Sequence, residues 1–331
     1  MTEDMNRGAS LEELLASETI ENIDFTQRGL PGGLSFAGRV LISCLFDGAA
    51  LSGADFTDCR VERCSFRGAD LSDAAFDEAE LADCGFAGAV LEGARFVRAK
   101  LARVNLDGAD MRRAFFHKSE FSECAWNSAN LSEATFMEAA SKLPDFIEND
   151  MEKALFVSCA LDGAKLTRAR APMLVLQKCS CRKIAAEECD LTQIVAMETD
   201  FTESSFARCG LGLGGFIGSN MTKCSFAGSD LTAAHFARAT LALADLSGAP
   251  LEKANFAGAD LSYANLSRAN LKMADLSHAR VMRARFDGAD LTLANGHAVN
   301  FREASMSGAV TEGLRPTDER LLKAENFMKK D

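Results

Sequence analysis

The sequence predicts an all-β fold, a four-sided solenoid in which each side is one five-residue unit. Three observations predict it. Every fifth residue from Phe36 to Met306 is large and apolar, except at Ser141, Ala171, Cys181, Ala186, Ala196 and Gly296. Two places before each large residue the side chain is small, as at Ala49, Ala54, Cys59, Cys64 and Ala69. A period of five matches neither the 3.6-residue turn of a helix nor the two-residue alternation of a strand. The chain must therefore turn about once per unit, with two of each five side chains inward. Four units close a square coil, and successive coils stack at strand spacing, about 4.8 Å apart.

The unit reads small–polar–large–polar–polar, as in Ala69-Asp70-Leu71-Ser72-Asp73. In this it resembles the pentapeptide-repeat family, over roughly residues 34–311. The resemblance implies a right-handed quadrilateral β-helix. Taking every fourth unit separates the four walls. Phe36, Phe56, Phe76, Phe96, Phe116, Phe136 and Phe156 fall on one, and Phe46, Phe66, Phe86, Leu106, Trp126 and Phe146 on the opposite one. Leu41, Val61, Leu81 and Leu101, and Leu51, Leu71, Leu91 and Met111, form the two between. Each buried side chain contributes about 1.5–3 kcal/mol to one continuous core.

The organisation predicted is a cap segment with a short helix over 1–33, the β-helix over 34–311 and a C-terminal helix over 312–331. Ser10 and Glu13 form a capping box ahead of Leu11, Leu14 and Leu15, which predicts a helix near 10–18. Open solenoid ends expose apolar core and edge strands, so both ends need covering. At the far end, Leu321, Leu322, Phe327 and Met328 give the last helix an apolar surface for capping or dimerisation.

Residues 141–200 are predicted to hold a loop or irregular region. Ser141 stands at a large position, and Pro144 and Asn149 stand at small ones. The segment 141–150 either forms two poor sides or loops out, and a loop or bulge is favoured. Over 171–200, Ile184 precedes Ala186 and Ile194 precedes Ala196, so volume has been exchanged between the two inward sites. A continued core of altered shape, a short helix or a shifted register would each account for that.

Composition excludes several function classes. Ten of the eleven cysteines fall at the small inward position, with only Cys181 at the large one, so they read as small core hydrophobes. No CxxC pair exists for a metal, and inward thiols fit a reducing compartment. The N-terminus is acidic, without a basic-then-apolar signal peptide, and no apolar run is long enough to span a bilayer. A soluble cytoplasmic protein without membrane association is expected. Net charge is -12, and residues 1–24, with seven acids and one base, hold half of it. So mild a repeat surface argues against nucleic acid as a direct ligand.

No catalytic residues, cofactor or metal site are predicted. His117, His235, His278 and His297 all stand at outward positions and read as solvated. No GxSxG or HExxH motif occurs, and the glycines at 210–215 are not followed by Lys-Ser/Thr. Asp70, Asp110, Asp150, Asp190, Asp230 and Asp290 share an outward column, where local bonding to turn backbone is the plainer reading than a calcium ladder.

One outward feature departs from the pattern. Phe115, Met137, Leu155, Val157, Val175, Val195, Met197 and Ile217 occupy positions that elsewhere hold Asp, Ser, Thr, Arg or Asn. Such a patch marks a partner site or is covered by the chain itself or a second copy. The function expected is a non-enzymatic protein-binding scaffold or adaptor, with a protein partner of unknown identity and homodimerisation through an end or this patch as an option. The family resemblance adds a DNA-mimic alternative, a protein that protects or inhibits type II topoisomerase (gyrase). It also adds an accessory or effector role in a bacterial secretion system.

Overall fold

The backbone climbs one coil for every four units, so that Val40 pairs with Arg60 and Arg60 with Glu80. The computed structural model describes residues 10–139 and 143–328. The Phe36 amide donates to the Asp55 carbonyl at 2.7 Å, and the Asp55 amide donates back to Leu34 O at 2.9 Å. The same exchange recurs coil after coil, so each side of the square is a short parallel ladder. The result is the right-handed quadrilateral β-helix, with a helix near each end.

Corners repeat once per unit. The amide of Ala54 donates to Leu51 O at 3.0 Å, closing a turn whose third residue, Gly53, has φ +67°. A left-handed residue is required there, as in type II turns. Many corners hold a charged residue instead of glycine, as at Asp73 and Glu78. The Asp column serves the same corners. The Asp70 carboxylate accepts the Ser72 amide at 3.1 Å and its hydroxyl at 2.6 Å, and Asp190, Asp230 and Asp290 do the same with the threonine two residues on.

The chain divides into two compact units, residues 1–164 and 165–331. In the first, strands Thr19–Glu21, Val40–Ile42, Arg60–Glu62, Glu80–Ala82, Lys100–Ala102 and Glu120–Ser122 build one parallel wall. Arg95–Val97, Phe115–His117, Thr135–Met137 and Leu155–Val157 build another. The predicted phenylalanine walls stack inside. Rings of Phe36, Phe56, Phe76 and Phe96 lie parallel at 4.9–5.0 Å, and Phe46, Phe66 and Phe86 at 4.6–4.8 Å. The two stacks meet edge to face, 5.6 Å apart at Phe36–Phe46.

The coil begins earlier than residue 34. Ile20, Ile23 and Phe25 are buried, Thr19 pairs with Val40, and the Phe25 ring stacks on Phe46 at 4.5 Å. The step from Thr19 to Val40 is longer by a single residue than the step from Val40 to Arg60, which puts Phe25 outside the frame read from Phe36. Helix α1, Leu11–Ala16, sits where the capping box placed it. The Ser10 amide donates to Glu13 Oε2 at 2.8 Å and the Glu13 amide to Ser10 Oγ at 3.2 Å. Leu14 is buried, and Arg39 Nε donates to Leu15 O at 2.7 Å, tying the helix to the coil.

The favoured loop at 141–150 is not what the backbone does. Asn130 pairs with Asp150 and Thr135 with Leu155, so the regular coil step is kept across the segment and the residues after it stay on their walls. Ser141 lies outside the described residues. Leu143 is buried in the place due to Pro144, and Phe146 and Asn149 point inward. Asn149 Nδ2 donates to Trp126 O at 2.6 Å and Ala129 O at 3.3 Å, and Trp126 Nε1 donates to Asp145 O at 3.0 Å. The two poor sides are thus held by side-chain bonds in place of small apolar residues.

In the second unit, strands Lys165–Thr167, Ala185–Glu187 and Ser205–Ala207 pair in parallel at the same step. Neither a short helix nor a shifted register interrupts 171–200. The exchanged volumes pack directly: Ile184, Ala186, Ile194 and Ala196 are all buried. Gly214 lies one coil beyond Ile194, and a Cβ added to it would meet Ile194 Cγ2 at 3.1 Å and Phe216 Cε2 at 2.8 Å. The bulky isoleucine at a small site is matched by the smallest residue on the next coil.

Candidate functional site

The outward apolar residues fall on regular walls of both units, and each unit presents its own set. In the first, Phe115, Met137, Leu155 and Val157 flank the buried ring of a strand on Phe115–His117, Thr135–Met137 or Leu155–Val157. Phe115 pairs with Thr135 and Leu155 with Thr135, while His117 pairs with Met137 and Met137 with Val157. All four are half-buried, because neighbouring coils shield them. In the second unit Val175 and Ile217 are half-buried, whereas Val195 is 37% and Met197 50% exposed. Of these eight residues, only Val195 and Met197 are exposed.

Elsewhere on the first unit several outward residues form ion pairs. Arg95 lies 2.6 Å from Asp77, Lys100 2.9 Å from Glu80, Arg103 2.6 Å from Asp83 and Arg112 2.9 Å from Glu92. Most link residues one coil apart, so acids and bases neutralise each other along the stack. The hydrogen bond and charge of Arg103 hold the Asp83 carboxyl below its ordinary range, and those of Lys100 do the same for Glu80. Exposed pairs of this kind add little stability.

All eleven cysteines are free thiols, buried except for the half-buried Cys124. Burial pushes Cys59 and Cys84 up to about 11 and Cys224 up to about 12. These thiols are poor nucleophiles and serve as core.

Helix α2, Glu319–Met328, lies within the predicted C-terminal segment. It begins after Asp318, whose carboxylate accepts the Arg320 and Leu321 amides at 2.9 and 3.1 Å. Those bonds hold the Asp318 carboxyl low. Of the apolar residues expected to serve in capping or dimerisation, Leu322 is half-buried, Leu321 is exposed and Phe327 is 75% exposed. The side chain of Met328 lies outside the described residues. The helix instead engages the coil through histidine.

His278 and His297, read from sequence as solvated, lie together. The His278 amide donates to His297 O at 2.9 Å, which sets the rings 5.2 Å apart. Glu325 of α2 reaches both: its Oε2 lies 3.1 Å from His278 Nε2 and 3.3 Å from His297 Nε2. His297 Nδ1 accepts the Asp318 amide at 3.1 Å. The His297 side chain is only 8% exposed. Burial works to raise the Glu325 carboxyl, but the two imidazoles hold it below its ordinary range. The missed signal was the spacing from His278 to His297, one short of a full coil, which makes them neighbours on successive coils. Glu325 could not be joined to them without knowing where α2 docks.

The model for a pentapeptide repeat region matches residues 39–116 and 59–136, and the model for pentapeptide repeats in eight copies matches 216–248, 249–288 and 274–310. The chain belongs to the pentapeptide-repeat family. Among solved structures, this pentapeptide-repeat protein is similar to HetL, a pentapeptide repeat protein involved in heterocyst differentiation regulation from the cyanobacterium Nostoc sp. strain PCC 7120. The identity is 19%, over 88% of this chain and 90% of that one, with a TM-score of 0.15. It is similar to a pentapeptide repeat protein of the Arabidopsis thaliana thylakoid lumen at 34% identity, over 30% of this chain and 67% of the other, with a TM-score of 0.17. It is also similar to QnrB1, a plasmid-mediated fluoroquinolone resistance protein, at 15% identity over 90% and 96% of the two chains, with a TM-score of 0.18. Comparison with curated proteins gives no match. Among the described residues, no helix is long and apolar enough to cross a membrane.

Proposed function

We propose that this pentapeptide-repeat protein is a non-enzymatic scaffold that binds a protein partner through an apolar column on a wall of its coil. The observation that carries the reading is the exposure of Val195 and Met197 together on one wall, at unit positions that mostly hold polar groups. Half-buried Val175 and Ile217 extend the apolar character of the second unit's wall, and Phe115, Met137, Leu155 and Val157 give the first unit a column of the same kind. Backbone ladders hold such side chains rigid, which lowers the ordering cost of binding. The buried, high-pKa thiols fit a reducing compartment such as the cytoplasm.

Ion pairs such as Arg95–Asp77, Arg103–Asp83 and Arg112–Glu92, which neutralise part of the first unit's acidic surface, speak against a DNA mimic, which needs unpaired anions in rows. The test is affinity capture with the intact chain, beside Val195→Asp and Met197→Asp and a control, Thr222→Asp, on another wall. The reading requires a partner retained by the control and lost by both column variants, with circular dichroism unchanged. A partner that survives both substitutions would refute it. Inhibition or protection of gyrase in a supercoiling assay at micromolar protein would replace it with the DNA-mimic function.

A further inference from the structure

We infer that His278, His297 and Glu325 form a binding site for a divalent transition metal of the zinc class, which fastens α2 to the coil. The ligand atoms of the three all lie within 4.8 Å of one another. They come from two successive coils and a helix, so no local sequence constraint forces them together.

Two of the three ligand-atom separations suit an ion, and the third, between the two imidazole nitrogens, lies within 4.8 Å. In a tetrahedral site with ligands at about 2.0–2.1 Å, neighbouring ligand atoms lie about 3.3 Å apart. The carboxylate oxygen of Glu325 lies 3.1 and 3.3 Å from the two imidazole nitrogens. Two imidazoles and one carboxylate are the donor set of zinc, nickel or cobalt. Calcium and magnesium take oxygen ligands instead. His297 is enclosed, whereas the His278 side chain is 36% exposed, which leaves a path for the ion and room for water as a further ligand.

Without an ion the same atoms make a hydrogen-bonded latch, and its chemistry makes the proposal specific. His297 Nδ1 accepts the Asp318 amide, so neutral His297 carries its proton on Nε2 and donates it to Glu325. An ion on Nε2 requires the proton on Nδ1. That proton would face the Asp318 N–H, donor against donor, so metal binding must turn this amide away and rearrange the first turn of α2. This cost makes binding weaker than at a preformed structural zinc site.

The experiment uses the full chain after chelation and dialysis. Calorimetric titration with Zn²⁺ should give one site per chain. Co²⁺ should give visible absorption without the near-ultraviolet bands of a thiolate ligand. His278→Gln, His297→Gln and Glu325→Gln should each weaken binding at least about tenfold. Glu325→Gln keeps a hydrogen-bonding partner for the imidazoles, so it separates loss of the ion from loss of the latch. Zn²⁺ should also shift the Asp318 amide resonance and raise the melting temperature of wild type but not of Glu325→Gln. Absence of binding at about 100-fold above micromolar Zn²⁺, thiolate bands with Co²⁺, or wild-type affinity in any of the three variants would overturn the site.

Discussion

The coils at 34–100 and those at 171–200 share one backbone and almost nothing of one core. In the first, Phe36, Phe56, Phe76 and Phe96 stack ring on ring, and small residues separate them at every corner. In the second, Ala171, Cys181, Ala186 and Ala196 stand where rings would be, and Leu174, Ile184 and Ile194 fill the small sites. The coil step is the same in both. What sets the coil is therefore the inter-coil ladder and the left-handed corner. Side chains need only sum to the right volume, and they do so by compensation between neighbouring coils.

The largest expected effect strikes the ring stack. Phe76→Ala removes a fully buried ring with stacked neighbours on both sides and should cost about 3–5 kcal/mol in chemical denaturation. A loss below about 1 kcal/mol would mean that the phenylalanine walls collapse as readily as the mixed ones.

Alkali should come next. Cys59 and Cys84 titrate near 11 in the folded state, above the ordinary thiol value. Their raised values contribute stability that is complete below the unfolded pKa, about 8.5, and is lost as pH rises toward 11. Each thiol should account for about 2–3 kcal/mol of that decline. Unfolding free energies measured from pH 8 to 11 should fall, and Cys59→Ala with Cys84→Ala should flatten the slope. An unchanged slope would deny that these thiols stay protonated in the core.

The compensation itself can be broken with one methyl group. Gly214→Ala should cost about 1–3 kcal/mol by crowding Phe216, the Leu211 carbonyl and Ile194, and Ile194→Ala should relieve the isoleucine's share of that cost when the two are combined. Additive losses in the double variant would show that the exchange of volumes is coincidence. The smallest effect belongs to the corners. Leu213 is exposed with φ +59°, so Leu213→Gly should be neutral or stabilise by up to about 1 kcal/mol. A clear loss at Leu213 would indicate that the side chain is held by something other than its own coil.

Much of this was legible in the residues. The period of five yields the walls, the inward cysteines and the ladder of Asp turns, because each depends only on position within a unit. Phe25 escaped because one extra residue in the first coil moves it out of frame. The segment 141–150 looked like a loop because Pro144 and Asn149 break the small-residue rule. Leu143 and the Asn149 amide satisfy the coil in ways a positional rule does not contain. Half-burial of Phe115 and Leu155 was hidden for a related reason: outward residues are shielded by the coils on either side, and a pattern read along one strand does not weigh that shielding. The histidines and Glu325 needed the docking of α2, a contact between an element with the repeat and one without it.

The coil step, constant after the first coil, also bears on how such a chain changes length. Loss or gain of a single repeat unit rotates everything downstream by a quarter turn. Placed ahead of Val195 and Met197 within their own stack, it moves them to a different wall from the coils before it. Placed between His278 and His297, it parts the two imidazoles. Loss or gain of a whole coil leaves each residue on its own wall. Length variation that preserves surface function is thus confined to whole coils, and duplication in that unit is the one by which this architecture can grow without rewriting its faces.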